Sequence, residues 1–121
     1  MKIIGISGNA TVGKDSYCHA LIDLLSVHGI SAERYAFADE LKYETDEFLK
    51  SSLGISAFTT DKEEKVLIRS FLVWWGTDFR RKLDDSHWIN KVNDKIKDDK
   101  TVYIITDVRY QNEFEWLKNC L

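Results

Sequence analysis

The sequence predicts an α/β protein in which helices flank a parallel sheet. Three short apolar runs are typical of buried strands, and segments with helical periodicity separate each run from the next. Strands that alternate with helices pair in parallel through right-handed crossovers, which gives a three-layer arrangement. A chain of 121 residues with 44% hydrophobic content has the length and composition of one domain, so we expect a single domain over residues 1–121.

The elements follow from apolar spacing and from residues that begin or end helices. Ile3, Ile4 and Ile6 predict the first strand, and the helix after it should end near Gly29, because glycine is common just past a helix. The other predicted elements, in order, are a strand over 33–38, a helix capped by Asp39, a loop over 51–60, a helix that begins at Thr60 or Asp61 and is interrupted at Gly76, a helix over 85–97, a strand over 102–106 and a final helix with Phe114 and Leu117.

A glycine motif follows the first strand, where residues 8–14 read GNATVGK and match the pattern GxxxxGK. In such a loop, backbone N–H groups point at a polyphosphate and the lysine reaches the outer phosphates. Glycine allows the backbone to approach the ligand closely. The alternative is a glycine-containing turn without a ligand. The predicted phosphate contacts are Gly8, Asn9, Ala10, Thr11, Val12, Gly13, Lys14, Asp15 and Ser16.

Asp15 stands where a serine or threonine that holds magnesium usually follows the lysine. A carboxylate is a hard oxygen ligand and suits Mg²⁺. The alternative is that Asp15 only interacts favourably with the helix dipole. Ser16 is a poor substitute, because it lies about 100° further round the helix.

Composition excludes several classes of partner. The net charge of −3 argues against a nucleic-acid polymer, and no apolar run approaches the length of a membrane span. Cys18 and Cys120 lack metal-type spacing and are expected to be reduced, buried thiols. These features, with the absence of a recognisable signal peptide, predict a cytoplasmic protein with no membrane partner.

The three strands should deliver polar segments to one edge of the sheet. In open parallel sheets the ligand lies beyond the carboxyl ends of the strands. We therefore expect residues 8–14, 38–42 and 107–112 to converge there.

These segments resemble those of the deoxynucleoside monophosphate kinases of bacteriophages and bacteria, which are close to the adenylate kinase group of P-loop kinases. The resemblance lies in GNATVGKDS, in FADELK over 37–42, in WGTDFRR over 75–81 with Trp88 following, and in TDVRYQNE over 106–113. Family members commonly have GKD, so Asp15 fits the family. Two departures concern substrate preference: Tyr110 and Gln111 replace the family's FP, and Val73 and Trp74 stand where a glutamine is frequent.

The resemblance implies a P-loop NTPase-type sheet, with a helical segment for the monophosphate over residues 39–98. It also implies transfer of the γ-phosphate of ATP to a (deoxy)nucleoside 5′-monophosphate, with Mg²⁺ as the cofactor. Lys14, Arg81 and Arg109 are then the expected catalytic cations, and Asp15 and Asp107 the metal carboxylates. The expected substrate contacts are Phe37, Ala38, Lys42, Trp75, Arg81, Trp88 and Arg109.

Each of these residues has a simpler interpretation. Arg81 and Arg109 can form surface ion pairs, Asp107 can cap the final helix, Lys42 can be solvated, and Trp75 and Trp88 can pack in the core. The alternative functions are nucleotide binding without turnover and a kinase with another acceptor, such as dephospho-coenzyme A.

The family's chains continue well beyond the segment that matches TDVRYQNE, whereas this chain stops at Leu121. The sheet would then lack the strand expected beside the first strand. An uncovered edge favours association, so we expect either a truncated chain or a homodimer. The family also places the protein in a bacterial or phage-infected cytosol.

Overall fold

A computed structural model describes residues 2–8 and 13–120. These residues form an α/β structure with a small parallel sheet, which confirms the predicted class. Its elements in chain order are β1 (Lys2–Gly5), α1 (Lys14–Val27), β2 (Ala32–Tyr35), α2 (Phe37–Leu53), α3 (Lys62–Val73), a π-helical segment (Trp74–Arg81), α4 (His87–Lys95), β3 (Val102–Ile105) and α5 (Gln111–Asn119).

The chain divides into two compact units. The sheet unit comprises Met1–Phe37 and Ile89–Leu121, and the helical unit comprises Ala38–Trp88. The sequence predicted a helical segment over residues 39–98. Of these residues, 39–88 belong to the helical unit.

The sheet unit is built around β3, which lies between β1 and β2 and pairs in parallel with both. Val102 is opposite Lys2 on one side and opposite Ala32 on the other. All four residues of β3 are buried. The parallel pairing predicted from the alternation of strands and helices is therefore confirmed.

Helices cover both faces of this sheet. On one face, Val102 and Ile104 pack with Cys18 of α1. Side chains alternate along a strand, so Gly5, which is opposite Ile105, lies on the other face. A Cβ atom at Gly5 would collide with Leu117 of α5. α1 and α5 therefore lie on opposite faces.

Backbone pairing continues past the strands and brings the three chain segments to one edge. The Ile6 N–H donates to the carbonyl of Ile105 over 2.7 Å, and the Val108 N–H donates to the carbonyl of Ile6 over 3.2 Å. On the other side of β3, the Thr106 N–H donates to the carbonyl of Tyr35 over 3.1 Å. The residues that follow each strand consequently start side by side.

The helical unit has its own core, formed by Leu49, Ile55, Ala57 and Ile68. The Asp46 carboxylate accepts hydrogen bonds from Ser56 Oγ at 2.7 Å and from the Ala57 N–H at 2.8 Å. These two bonds connect the segment between α2 and α3 to α2. Asp61 caps α3 by accepting from the Glu64 N–H at 3.0 Å, in agreement with the sequence prediction.

The second strand was predicted over residues 33–38, but it ends at Tyr35 and α2 begins at Phe37. Asp39, the predicted cap, lies instead in the first turn of α2. The reason is that the Phe37 N–H finds an acceptor in Asp107, which is distant in sequence. α2 also extends to Leu53, three residues into the loop predicted over 51–60.

Gly76 does not interrupt the helix as predicted, because the chain continues through the π-helical segment. Gly76 is buried, and a Cβ atom there would lie 3.0 Å from Leu41 Cδ2. Close packing against α2 therefore explains the glycine. The next helix was predicted over 85–97 and is shorter in the structure, where it spans His87–Lys95. Among the described residues, no helix has both the length and the hydropathy needed to cross a bilayer.

Replacing Gly5 with alanine should destabilise the protein, because the new methyl group meets Leu117 and lies 3.1 Å from Val108 Cγ2. We expect a loss of about 1–3 kcal/mol in the free energy of unfolding, measured by urea denaturation. In the background Leu117→Ala, which removes the obstructing atoms, the cost of Gly5→Ala should shrink. An equal cost in both backgrounds would contradict the close packing of α5.

Candidate functional site

The two ends of the glycine loop are held together by the lysine of the motif. Lys14 Nζ donates a hydrogen bond to the Gly8 carbonyl oxygen over 2.8 Å. Gly8 and Gly13 have φ values of 144° and 78°, a region that side chains disfavour, so both positions require glycine. The predicted contacts Asn9, Ala10, Thr11 and Val12 lie outside the described residues.

The first turn of α1 directly follows this loop. Gly13 is the N-cap and has no side chain to accept hydrogen bonds. The first helical bond runs from the Tyr17 N–H to the Gly13 carbonyl over 3.0 Å, so the N–H groups of residues 14–16 precede the helical ladder. Such N–H groups and the helix dipole together favour an anion.

Asp15 pairs with a residue that the sequence did not single out. Arg34 Nε lies 3.1 Å from Asp15 Oδ1, and the two side chains are 30% and 67% exposed. An exposed pair of this kind contributes at most about 1 kcal/mol. It leaves Asp15 accessible to solvent, so a magnesium role for Asp15 remains a prediction. No local pattern around Arg34 in β2 indicates this contact.

Asp107 lies just past β3 and reaches the beginning of α2. Its Oδ1 atom accepts a hydrogen bond from the Phe37 N–H over 2.8 Å. Asp107 therefore satisfies a helix N-terminus, as one alternative predicted, but the helix is α2 rather than the final one. At the start of α5, Glu113 Oε1 accepts from the N–H groups of Arg109 and Tyr110 at 2.8 and 2.9 Å.

Arg109 is held by its backbone and exposes its side chain. Its N–H is bound by the buried carboxylate of Glu113, and within the described ranges its guanidinium has no hydrogen-bond partner. Phe37, a predicted wall of the substrate site, is only 6% exposed and packs edge-on against Trp116. Phe37 therefore contributes to the core of the sheet unit.

The remaining predicted substrate residues lie in the helical unit. Trp88 is buried and donates from Nε1 to the Gly76 carbonyl over 3.0 Å, which matches the core alternative. Arg81 Nη1 donates to the Asp85 carbonyl over 3.2 Å. Lys42 Nζ lies 6.0 Å from the centre of the Phe58 ring, and Ala38 is exposed.

A half-buried carboxylate at Glu44 organises the helical unit, and sequence reasoning missed it. Glu44 Oε2 accepts from Trp75 Nε1 at 2.5 Å and from Arg80 Nε at 3.1 Å. Glu44 Oε1 lies 2.9 Å from His87 Nε2. We call these four residues the Glu44 cluster. Trp75 is thus fixed by a hydrogen bond as well as by packing.

The π-helical segment explains why the cluster escaped detection. Trp75 and Arg80 are five residues apart, a spacing that lies on different faces of an α-helix. A π-helix bonds residue i to residue i+5 and so places these two side chains on one face. The only available signal was the family-like motif WGTDFRR itself.

The cluster also changes the acidity of its central carboxyl. Burial alone would raise the pKa of Glu44, but the hydrogen bonds from Trp75 and His87 and the charge of Arg80 outweigh it. The pKa of Glu44 therefore lies below its ordinary value of 4.5. Glu44 is consequently ionised in the folded protein at neutral pH.

The carboxylates near the glycine loop fit magnesium in their chemistry. Within residues 2–8 and 13–120, no three His, Cys, Asp or Glu side chains form a group suited to a metal ion. Mg²⁺, however, is commonly held by one or two carboxylates together with substrate phosphates and water. Asp15, which is accessible, and Asp107, which has one oxygen bonded to a backbone N–H, are oxygen donors of this kind.

No protein-family model matches the chain, and neither a curated protein nor a solved structure matches it. The resemblance to deoxynucleoside monophosphate kinases therefore rests on the sequence motifs.

The lowered pKa of Glu44 predicts a pH-dependent contribution to stability. A carboxyl whose pKa is lower in the folded state stabilises above its unfolded pKa, near 4.5, and loses this contribution as the pH falls through the folded value. Wild type should therefore be more stable than Glu44→Gln at pH 7, and the difference should narrow below about pH 4.5. Chemical denaturation across this range measures it. A difference that stays constant with pH would contradict the lowered pKa.

Proposed function

We propose that the protein transfers the γ-phosphate of ATP to a (deoxy)nucleoside 5′-monophosphate. The observation that best supports this function is the Lys14 ammonium bonded to the Gly8 carbonyl at 2.8 Å, beside a helix that begins at glycine. A lysine that already spans the ends of the loop can exchange one carbonyl oxygen for phosphate oxygens. The proposed fold is accordingly of the P-loop NTPase type.

Phosphoryl transfer requires positioning and positive charge rather than covalent chemistry by the protein. In this proposal Lys14 and the N–H groups at the start of α1 hold the phosphates of ATP. The exposed Arg109 side chain, on a backbone fixed by Glu113, grips phosphate oxygens with its planar fork. The buried Glu113 keeps that backbone from shifting.

Mg²⁺ would supply charge neutralisation and a template for the phosphate oxygens. Asp15 and Asp107 are the carboxylates proposed to hold it. To bind Mg²⁺, the Asp15 carboxylate either breaks its ion pair with Arg34 or contacts both cations. Because both side chains are partly exposed, breaking this ion pair costs little free energy.

The helical unit is proposed to bind the monophosphate. Arg81 is the candidate for its phosphate, since its guanidinium is held at the Asp85 carbonyl and half-buried, which limits its freedom. Lys42 is a second candidate cation. Trp88, which is buried, acts by shaping the unit at Gly76 rather than by touching the ligand.

A coupled assay of ADP release with each deoxynucleoside monophosphate tests the function. We expect turnover that is selective among the monophosphates. Lys14→Ala should lower kcat/KM by about a hundredfold or more, as expected when a donor to developing charge is removed, and should abolish stabilisation by ATP. Lys65→Ala, an exposed lysine on α3, serves as the control and should behave as wild type. ATP binding without turnover would refute the kinase and leave a nucleotide-binding protein.

Substitutions at Asp15 separate a magnesium ligand from an ion-pair partner. If Asp15 binds Mg²⁺, Asp15→Ala should raise the Mg²⁺ concentration needed for half-maximal stabilisation by ATP by about tenfold, in the range known for lost positioning of a metal. Asp15→Ser, which keeps an oxygen, should have a smaller effect. Arg34→Ala should leave the requirement unchanged or lower it. Equal effects of Asp15→Ala and Arg34→Ala would show that only the ion pair matters.

A further inference from the structure

The proposed phosphate site contains a negative charge that opposes its own ligand. Asp15 lies in the first turn of α1, next to Lys14 and at the helix N-terminus that favours an anion. Its side chain is 67% exposed. A phosphate bound at this helix N-terminus would be repelled by the carboxylate, because like charges at short range interact unfavourably. The site therefore requires a cation that balances Asp15.

Arg34 supplies that cation from a neighbouring strand. In the parallel pairing of β2 with β3, Arg34 is opposite Ile104, and Ile104 packs with Cys18 of α1. Because side chains alternate between the two faces of a sheet, Arg34 lies on the face that α1 covers. Its Nε atom lies 3.1 Å from Asp15 Oδ1. Strand pairing thus places the guanidinium beside the first turn of α1.

The ion pair leaves the Asp15 carboxylate available for exchange. The side chains of Arg34 and Asp15 are 30% and 67% exposed, and a pair this exposed contributes little to the free energy of unfolding. Mg²⁺ is commonly held by one or two carboxylates together with substrate phosphates. A metal ion that arrives with a polyphosphate can therefore replace the guanidinium at Asp15. Either cation is sufficient to balance the carboxylate.

We propose that Arg34 and Mg²⁺ are alternative counterions of Asp15, and that Arg34 allows the site to bind a polyphosphate when no metal is present. Arg34 acts through Asp15 and is therefore a positioning residue rather than a catalytic one. The inference rests on the proposed function, since it concerns the phosphate site of that reaction. Loss of Arg34 then weakens binding without metal and has little effect once Mg²⁺ is bound at Asp15.

Binding of inorganic triphosphate to the full chain tests this inference without a base, a sugar or turnover. Isothermal titration calorimetry at low ionic strength measures the affinity, first in EDTA and then in excess Mg²⁺. In EDTA, Arg34→Gln should weaken triphosphate binding by about fivefold, the size expected for one unbalanced charge near an anion in water. In Mg²⁺ the variant should bind within about twofold of wild type. Equal losses in both conditions, or no loss in EDTA, overturn the proposal.

A double variant shows whether Arg34 acts through Asp15. Arg34→Gln combined with Asp15→Asn removes both charges of the pair, so binding in EDTA should return to within about twofold of wild type. A double variant as weak as Arg34→Gln overturns the proposal, because Arg34 would then contact the phosphate itself. Arg69→Gln, at an exposed arginine of α3, is the control for net charge and should bind as wild type. A loss in Arg69→Gln equal to that in Arg34→Gln also overturns the proposal.

Asp15→Asn alone keeps the test decisive if Arg34→Gln does not fold. This variant retains the cation and removes the carboxylate, so triphosphate binding in EDTA should tighten by about fivefold. The gain in affinity on adding Mg²⁺ should be smaller than in wild type. Unchanged binding in EDTA overturns the proposal.

The two proposals fail in different ways. Triphosphate binding that is unaffected by Arg34→Gln would refute the role of Arg34 and leave the kinase standing. Binding that follows the expected pattern, without ADP release in the coupled assay, would refute the kinase and leave the exchange of counterions standing. A wild type that binds no triphosphate would refute both.

Discussion

Everything at the proposed phosphate site depends on the parallel pairing of β3 with β1 and β2. β3 is buried along its whole length, and its backbone is the only link between the other two strands of the described sheet. Pairing then continues to Ile6, Thr106 and Val108 beyond the strands. Because all three strands run the same way, the glycine loop, the start of α2 and the segment with Asp107 begin at one edge.

Asp107 shows how this edge also sets the boundary of a helix. Its carboxylate accepts the Phe37 N–H and so supplies, from the end of β3, the acceptor that a local cap would otherwise provide. The sequence predicted the class of fold, the end of α1 and the cap at Asp61, because those depend on neighbours a few residues away. It misplaced the start of α2, because the deciding contact joins residues far apart in the chain.

The same reasoning explains why the candidate site was predicted unevenly. Lys14 and the two loop glycines form a local motif, and the structure places the lysine across the loop. The Glu44 cluster draws on α2, the π-helical segment and the start of α4, and no single segment carries its pattern. Glu44 and His87 are ordinary surface types in sequence. Only the fold shows that the two side chains are 14% and 17% exposed and in contact.

The π-helical segment itself requires an energetic explanation. A glycine inside a helix costs about 1 kcal/mol relative to alanine, and π geometry is rare. Because Gly76 has no Cβ atom, Leu41 packs directly against the helix backbone there. The Gly76 carbonyl also accepts a hydrogen bond from the buried indole of Trp88. The five-residue turn also turns Arg80 towards Glu44 while Arg81 reaches the Asp85 carbonyl. Two adjacent arginines thus donate to different partners. An α-helical turn would not bring Arg80 over Trp75, so the π turn is what allows one motif to present two distinct cationic groups.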